Sequence, residues 1–171
     1  MSLSLSSQLG QPSVAQLIAR RTLNAVFQPI VDFDGGTILG YEGLIRGPAG
    51  SALESPGVLF AQAAREGLSV ALEHAAARQC VSEFARLGCE GKLFLNFSAE
   101  ALVALGETRE RTVAWLHRRG LGVDRIVLEL TEQCAIADVG TFAPAVSALR
   151  ETGIQFALDD YGTANASMNL W

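Results

Sequence analysis

Histidine, cysteine and positive charge are all scarce in this 171-residue chain, and long apolar runs are missing. No stretch approaches the roughly 20 apolar residues of a membrane-spanning helix, so direct membrane insertion is not expected. The net charge is −5, and without a clustered basic face a duplex nucleic-acid binder is excluded. One small phosphate ligand is not, because a few arginines and a metal ion can neutralise it locally. The three cysteines, Cys80, Cys89 and Cys134, are odd in number and lack zinc-type spacing. They read as free thiols in a reducing cytoplasm. The two histidines, His74 and His117, have no carboxylate or cysteine at ligand spacing and read as surface or boundary residues. Residues 1–13 lack the basic-then-apolar order of a secretory signal and read as a flexible leader. Residues 14–171 read as one domain with a globular apolar share of 49 %.

The apolar spacing predicts a helix over 14–25. VFQPIVDF and TILGYEGLIR then read as two strands joined at Asp34-Gly35-Gly36, where Asp-Gly supplies the positive φ of a hairpin. Ser55-Pro56 opens a helix that Gly67 stops, and a longer one runs over 69–87 up to Gly88. KLFLNFS (92–98), RIVLELT (125–131) and QFALDD (155–160) are short apolar strands. Between them lie helices over 99–119, broken near Gly106, and over 138–152. There Pro144 is expected in the first turn or at a kink. Near-continuous apolar strands alternating with helices predict a parallel sheet covered by helices, as an α/β barrel or a doubly wound sheet.

Four polar residues interrupt these strands: Asn96, Glu129, Asp159 and Asp160. One such residue would ordinarily be satisfied by a local hydrogen bond. Several in successive strands, at about the interval of one βαβ unit, converge at one end of the sheet. Clustered carboxylates must take up a proton or share a cation. Oxygen donors without histidine or thiolate favour Mg²⁺ or Mn²⁺ over zinc. In the strand Tyr41-Glu42-Gly43-Leu44-Ile45-Arg46, Glu42 and Arg46 share a face but stand too far apart for a tight ion pair. An anionic ligand could use both, although an ordinary exposed Glu and Arg would read the same. Gln28-Pro29 suggests an edge strand.

FQPIVD, YEGLIR, LFLNFS, LELTE and LDDYGT, in this order and spacing, resemble the motifs of EAL-domain cyclic di-GMP phosphodiesterases. The resemblance runs from about residue 14 to the end. It implies an EAL-type (β/α) TIM-like barrel with an antiparallel first strand and cyclic di-GMP lying across the strand C-terminal ends. It implies Glu42, Asn96, Glu129, Asp159 and Asp160 as ligands of Mg²⁺ or Mn²⁺, two ions in all. Glu42, Asp159 and Asp160 would be catalytic, Gln28 and Arg46 would bind substrate, and Glu132 would support Glu129. The implied reaction is hydrolysis of cyclic di-GMP to linear pGpG in bacterial signalling. A homodimer and an attached sensor or GGDEF domain are the implied partners.

Three positions depart from the family pattern. The eponymous Glu-Ala-Leu is Glu42-Gly43-Leu44, and Gly43 is expected to face away from Glu42. The loop Gly162–Ser167 lacks the family's second glycine and aromatic residue. The family's later lysine, glutamate and glutamine have no counterpart before Trp171, so the chain corresponds to the N-terminal two-thirds of the domain. By itself it is expected to be poorly active. The competing reading is a catalytically inactive receptor or protein-interaction module of the same fold. A different metal-dependent barrel, such as an aldolase-like lyase, shares the carboxylates but does not need the motif order.

Overall fold

The computed structural model describes residues 12–32, 35–131 and 139–159. Most of the leader, Asp34, Glu132, Cys134, Asp160, the loop Gly162–Ser167 and Trp171 lie outside the described residues.

Helix α1 (Val14–Arg20) begins in a capping box: Gln16 N donates to Ser13 Oγ, and Ser13 N donates to Gln16 Oε1. Ser13, the last residue of the expected leader, is thus the N-cap of the first helix. The helix ends earlier than its periodicity predicts, with Arg21 left-handed at φ 54°. Asn24 and Ala25 are claimed instead by strand β1 (Asn24–Val31), where they pair with Arg46 and Ile45 of β2 (Ile38–Arg46). A sheet ladder has overridden local helical preference there. The β1–β2 pair is antiparallel, and Pro29 sits in β1, whose single strand neighbour among the described residues is β2. An edge strand tolerates the missing N–H.

Helix α2 (Pro56–Arg65) carries its proline in the first turn. Helix α3 (Ser69–Leu87) is closed by Gly88 at φ 64°, a left-handed cap that glycine adopts without Cβ strain. Its face Leu72, Cys80, Val81 and Phe84 is buried across β1, β2 and β3 (Lys92–Phe97). Phe84 meets the edges of Phe27 and Tyr41 at centroid distances of 5.7 and 6.1 Å. The Arg125 guanidinium lies over the same ring and donates to the Gly91 and Cys89 carbonyls. Those bonds tie the start of β3 to that of β4 (Ile126–Thr131).

Helices α4 (Ala99–Glu107) and α5 (Arg109–His117) follow β3, and the break falls at Thr108 rather than at Gly106. Gly106 has another use: a Cβ there would stand 3.1 Å from that of Ala145, so glycine lets α4 approach α6 (Val139–Arg150) closely. Pro144 lies inside α6, beyond the first turn. β5 (Gln155–Asp159) completes the described chain.

Among the described residues the strands form one sheet in the order β1-β2-β3-β4-β5, with every pair after the first parallel. A doubly wound sheet reverses its strand order at a switch point. This sheet does not, and the barrel-type reading is the one that stands. Leu93, Leu95 and Phe97 of β3 and Ile126, Leu128 and Leu130 of β4 are buried in the core shared with the helices. Among the described residues no helix is long and apolar enough to cross a membrane.

Gly43 points at α3. A Cβ there would stand 3.0 Å from Cys80 Cβ, 3.1 Å from its Sγ and 3.2 Å from Leu93 Cδ1. Cys80 and Leu93 are fully buried and have little room to give. Gly43→Ala is therefore expected to cost about 1–2 kcal/mol by overpacking. Denaturant titration should find that cost smaller in a Cys80→Ala background, whereas strictly additive costs would show that Cys80 is not the obstacle.

Burial also pushes the Cys80 thiol up from 9.0 to about 12. A raised folded-state value means that its contribution to stability is complete below about pH 9 and is lost as pH climbs toward about 12. At pH ~8 native protein should be alkylated at the half-buried Cys89 while Cys80 stays protected, as peptide mass mapping would read. Fast labelling of Cys80 in folded protein would contradict this.

Candidate functional site

Side chains alternate across a strand, so the face opposite the helices is set by register alone. Gln28 stands opposite Glu42 in the antiparallel pair, and Glu42 is level with Phe94 of β3. Asn96, one same-face step beyond Phe94, is level with Glu129 of β4. Ala157 of β5 is level with Glu129, and Asp159 lies one further step on, beside Thr131. The polar set therefore climbs one step between β2 and β3, none between β3 and β4, and one between β4 and β5. Strands of a barrel tilt against its axis, and a staggered staircase of this kind is how their ends come level.

The first step is closed by a hydrogen bond: Asn96 Nδ2 donates to Glu42 Oε1 at 2.7 Å. Both residues are half-buried. Glu129 is half-buried too, and its Oε2 is enclosed. Arg46 lies two same-face steps beyond Glu42, opposite Asn24, and its Nη1 donates to the Ile45 carbonyl. No ion pair joins it to Glu42, in keeping with their spacing. Gln28 is exposed on the edge strand. The backbone of Asp159 is in place at the end of β5. Asp160 and Glu132 lie outside the described residues.

The donor set is all oxygen, which suits a hard cation. An asparagine amide can give its N–H to a carboxylate and its carbonyl to a cation at once. Glu42 and Asn96 are paired in a way that leaves this open. Among the described residues no group of three or more His, Cys, Asp or Glu is gathered at metal-ligand spacing.

Two supporting residues escaped the sequence reading. Glu73 of α3 accepts a hydrogen bond from Ser98 N at 2.7 Å, and the His74 Nε2–H donates to the Ala101 carbonyl at 2.8 Å. Together they pin the turn from β3 into α4, two residues past Asn96. Ser98 is the N-cap of α4, accepting from Ala101 N. His74 is thus a boundary residue with a structural bond, its ring 5.9 Å from Phe97. The one available signal was an acidic residue beside Leu72 in the otherwise small and apolar start of α3.

Known proteins resemble this chain in sequence and in fold. The chain is 30 % identical over 154 residues to the uncharacterized protein Rv1354c of Mycobacterium tuberculosis, covering 86 % of this chain and 25 % of that protein. It is 31 % identical over 156 residues to the probable cyclic di-GMP phosphodiesterase PdeB of Escherichia coli K12, covering 89 % and 30 %. The chain therefore spans about a quarter of the length of the first curated relatives it matches. The fold superposes on Klebsiella pneumoniae BlrP1, solved with manganese and cyclic di-GMP and also with calcium and cyclic di-GMP. There the TM-score is 0.75 and the identity 25 %, over 87 % of this chain and 37 % of BlrP1. The model of the EAL domain matches residues 11–171, and the chain belongs to that family.

Proposed function

We propose that this chain forms the metal- and nucleotide-binding part of a cyclic di-GMP phosphodiesterase, which opens one phosphodiester bond to give linear pGpG. The observation that carries the reading is the staircase of Glu42, Asn96, Glu129 and Asp159 on one face of the sheet, with Asn96 bonded to Glu42. The similar protein BlrP1 was solved in complexes with cyclic di-GMP and calcium or manganese, which supports it.

In this reading Glu42, Asn96, Glu129 and Asp159, joined by Asp160, hold two Mg²⁺ or Mn²⁺ ions. Bound there, the ions supply Lewis acidity and make water a competent nucleophile near neutral pH. Glu42 and Asn96 enter as a pre-ordered pair, so less side-chain freedom is lost on binding. Arg46 takes a non-bridging phosphate oxygen, and Gln28, next to Glu42 on the edge strand, hydrogen-bonds the nucleotide. The water oxygen bonds to phosphorus as one P–O ester bond breaks, and the departing sugar oxygen takes up a proton to become a hydroxyl, balancing the proton that the water gives up. Glu132 supports Glu129. The domain works in the bacterial cytoplasm, where Cys80 and Cys89 remain thiols.

The test is cyclic di-GMP hydrolysis with Mg²⁺ or Mn²⁺, read as pGpG by chromatography. It should be run on this chain and on a longer native polypeptide containing it. Activity should need the cation, be much higher in the longer chain, and fall at least about 100-fold in Glu42→Gln, since even outer partners of metal ligands cost 10–100-fold. Undiminished hydrolysis in Glu42→Gln would sink the ligand assignment. Nucleotide binding without hydrolysis at either length would make the protein a receptor instead.

A further inference from the structure

Strand pairing holds Asn96 from one side only. On the β4 side the ladder runs through it, with Asn96 level with Glu129 and Phe97 with Leu130. On the β2 side the pairing ends where Glu42 stands beside Phe94, short of Asn96. Among the described residues, then, no β2–β3 ladder sets how far Asn96 stands from Glu42. Their side chains nevertheless meet at 2.7 Å.

Helix α3 touches both strands. Cys80 lies against Gly43, the residue after Glu42, and so seats β2 on the helix. About two turns earlier on α3, Glu73 accepts the Ser98 N–H at 2.7 Å and the His74 Nε2–H donates to the Ala101 carbonyl at 2.8 Å. The His74 ring also stands 5.9 Å from that of Phe97, the residue after Asn96. The Ser98 N–H belongs to the peptide group that follows Phe97, so Glu73 grips the chain just past the end of β3. We propose that Glu73 is a positioning residue for the cation site, holding the end of β3 to α3 so that Asn96 stays in reach of Glu42. This role presupposes that Glu42 and Asn96 ligate the cation, as the phosphodiesterase reading has it. Without the acceptor the half-buried Ser98 N–H loses its partner, and the turn must move to find another. Ligand placement is exacting, since a misplacement of about 1 Å can cost on the order of 100-fold in rate. The role is one of reach and not of charge.

Two substitutions separate reach from charge. Glu73→Asp keeps the charge but withdraws the acceptor by a methylene, whereas Glu73→Gln keeps the reach and drops the charge. Mn²⁺ titration by calorimetry, on this chain and on the longer native polypeptide containing it, reads the effect. Glu73→Asp should weaken Mn²⁺ binding at least about tenfold, the lower end for groups that orient metal ligands. Glu73→Gln should bind close to wild type, because its amide oxygen still accepts from Ser98 N. In metal-free protein, NMR should find the Asn96 side-chain amide protons moved toward free-asparagine shifts in Glu73→Asp and not in Glu73→Gln. Arg125→Met removes hydrogen bonds at the opposite end of β3, controls for lost stability, and should leave Mn²⁺ affinity unchanged. Wild-type affinity in Glu73→Asp would overturn the proposal. So would the reverse order of the two Glu73 variants, which would assign the effect to charge, or equal weakening in Arg125→Met. In each of these cases, loss of Mn²⁺ in Glu42→Gln would leave the phosphodiesterase reading standing. Wild-type Mn²⁺ binding in Glu42→Gln, or no saturable uptake at either chain length, would overturn both.

Discussion

The register between β3 and β4 sets Asn96 level with Glu129, and the site depends on that setting more than on any single side chain. Backbone hydrogen bonds fix it, but apolar burial selects it. Leu93, Leu95 and Phe97 on one strand and Ile126, Leu128 and Leu130 on the other must all face the helices. A slip of one residue would send these six into the site and its polar residues into the core, at several kcal/mol per polar group buried unpaired. The hydrophobic effect is non-directional, yet through the period of two it becomes a positioning device for carboxylates.

Helix α3 supplies the second layer of control. It packs on β1, β2 and β3, and its side chains reach both ends of the sheet. At one end Glu73 and His74 hold the turn after Asn96. At the other, Phe84 packs with Phe27, Tyr41 and the Arg125 guanidinium that ties the starts of β3 and β4. Between them Cys80 lies so close to β2 that the position after Glu42 has room for little more than glycine. The departure from the family's Glu-Ala-Leu at Gly43 thus has a packing cause on the helix side and leaves the face of Glu42 untouched.

Much of this was legible in the sequence. The strands KLFLNF and IVLELT stood out because Asn96 and Glu129 interrupt uniformly apolar runs, and glycines 67 and 88 marked helix ends through their positive φ. What was not legible depends on contacts distant in sequence. α1 stops at Arg21 because Arg46 and Ile45 recruit Asn24 and Ala25. Gly106 does not break its helix because Ala145 packs against it. Glu73 became a turn anchor only when α3 was laid beside Ser98. The choice between a barrel-type and a doubly wound sheet was equally closed to local reasoning, since both use the same strands and helices.

Strand order in the sheet follows chain order without exception among the described strands. Each described strand finds its partner in the strand synthesised just before it, so none of these strand pairings waits for a distant segment to emerge. Pairing of sequential neighbours keeps the loops that must be closed short, and loop closure is what slows parallel sheets. A ribosome delivering this chain from its N-terminus would present β3 to a finished hairpin and β4 to a finished β3. The fold is suited to vectorial assembly, with its polar staircase laid down one tread at a time.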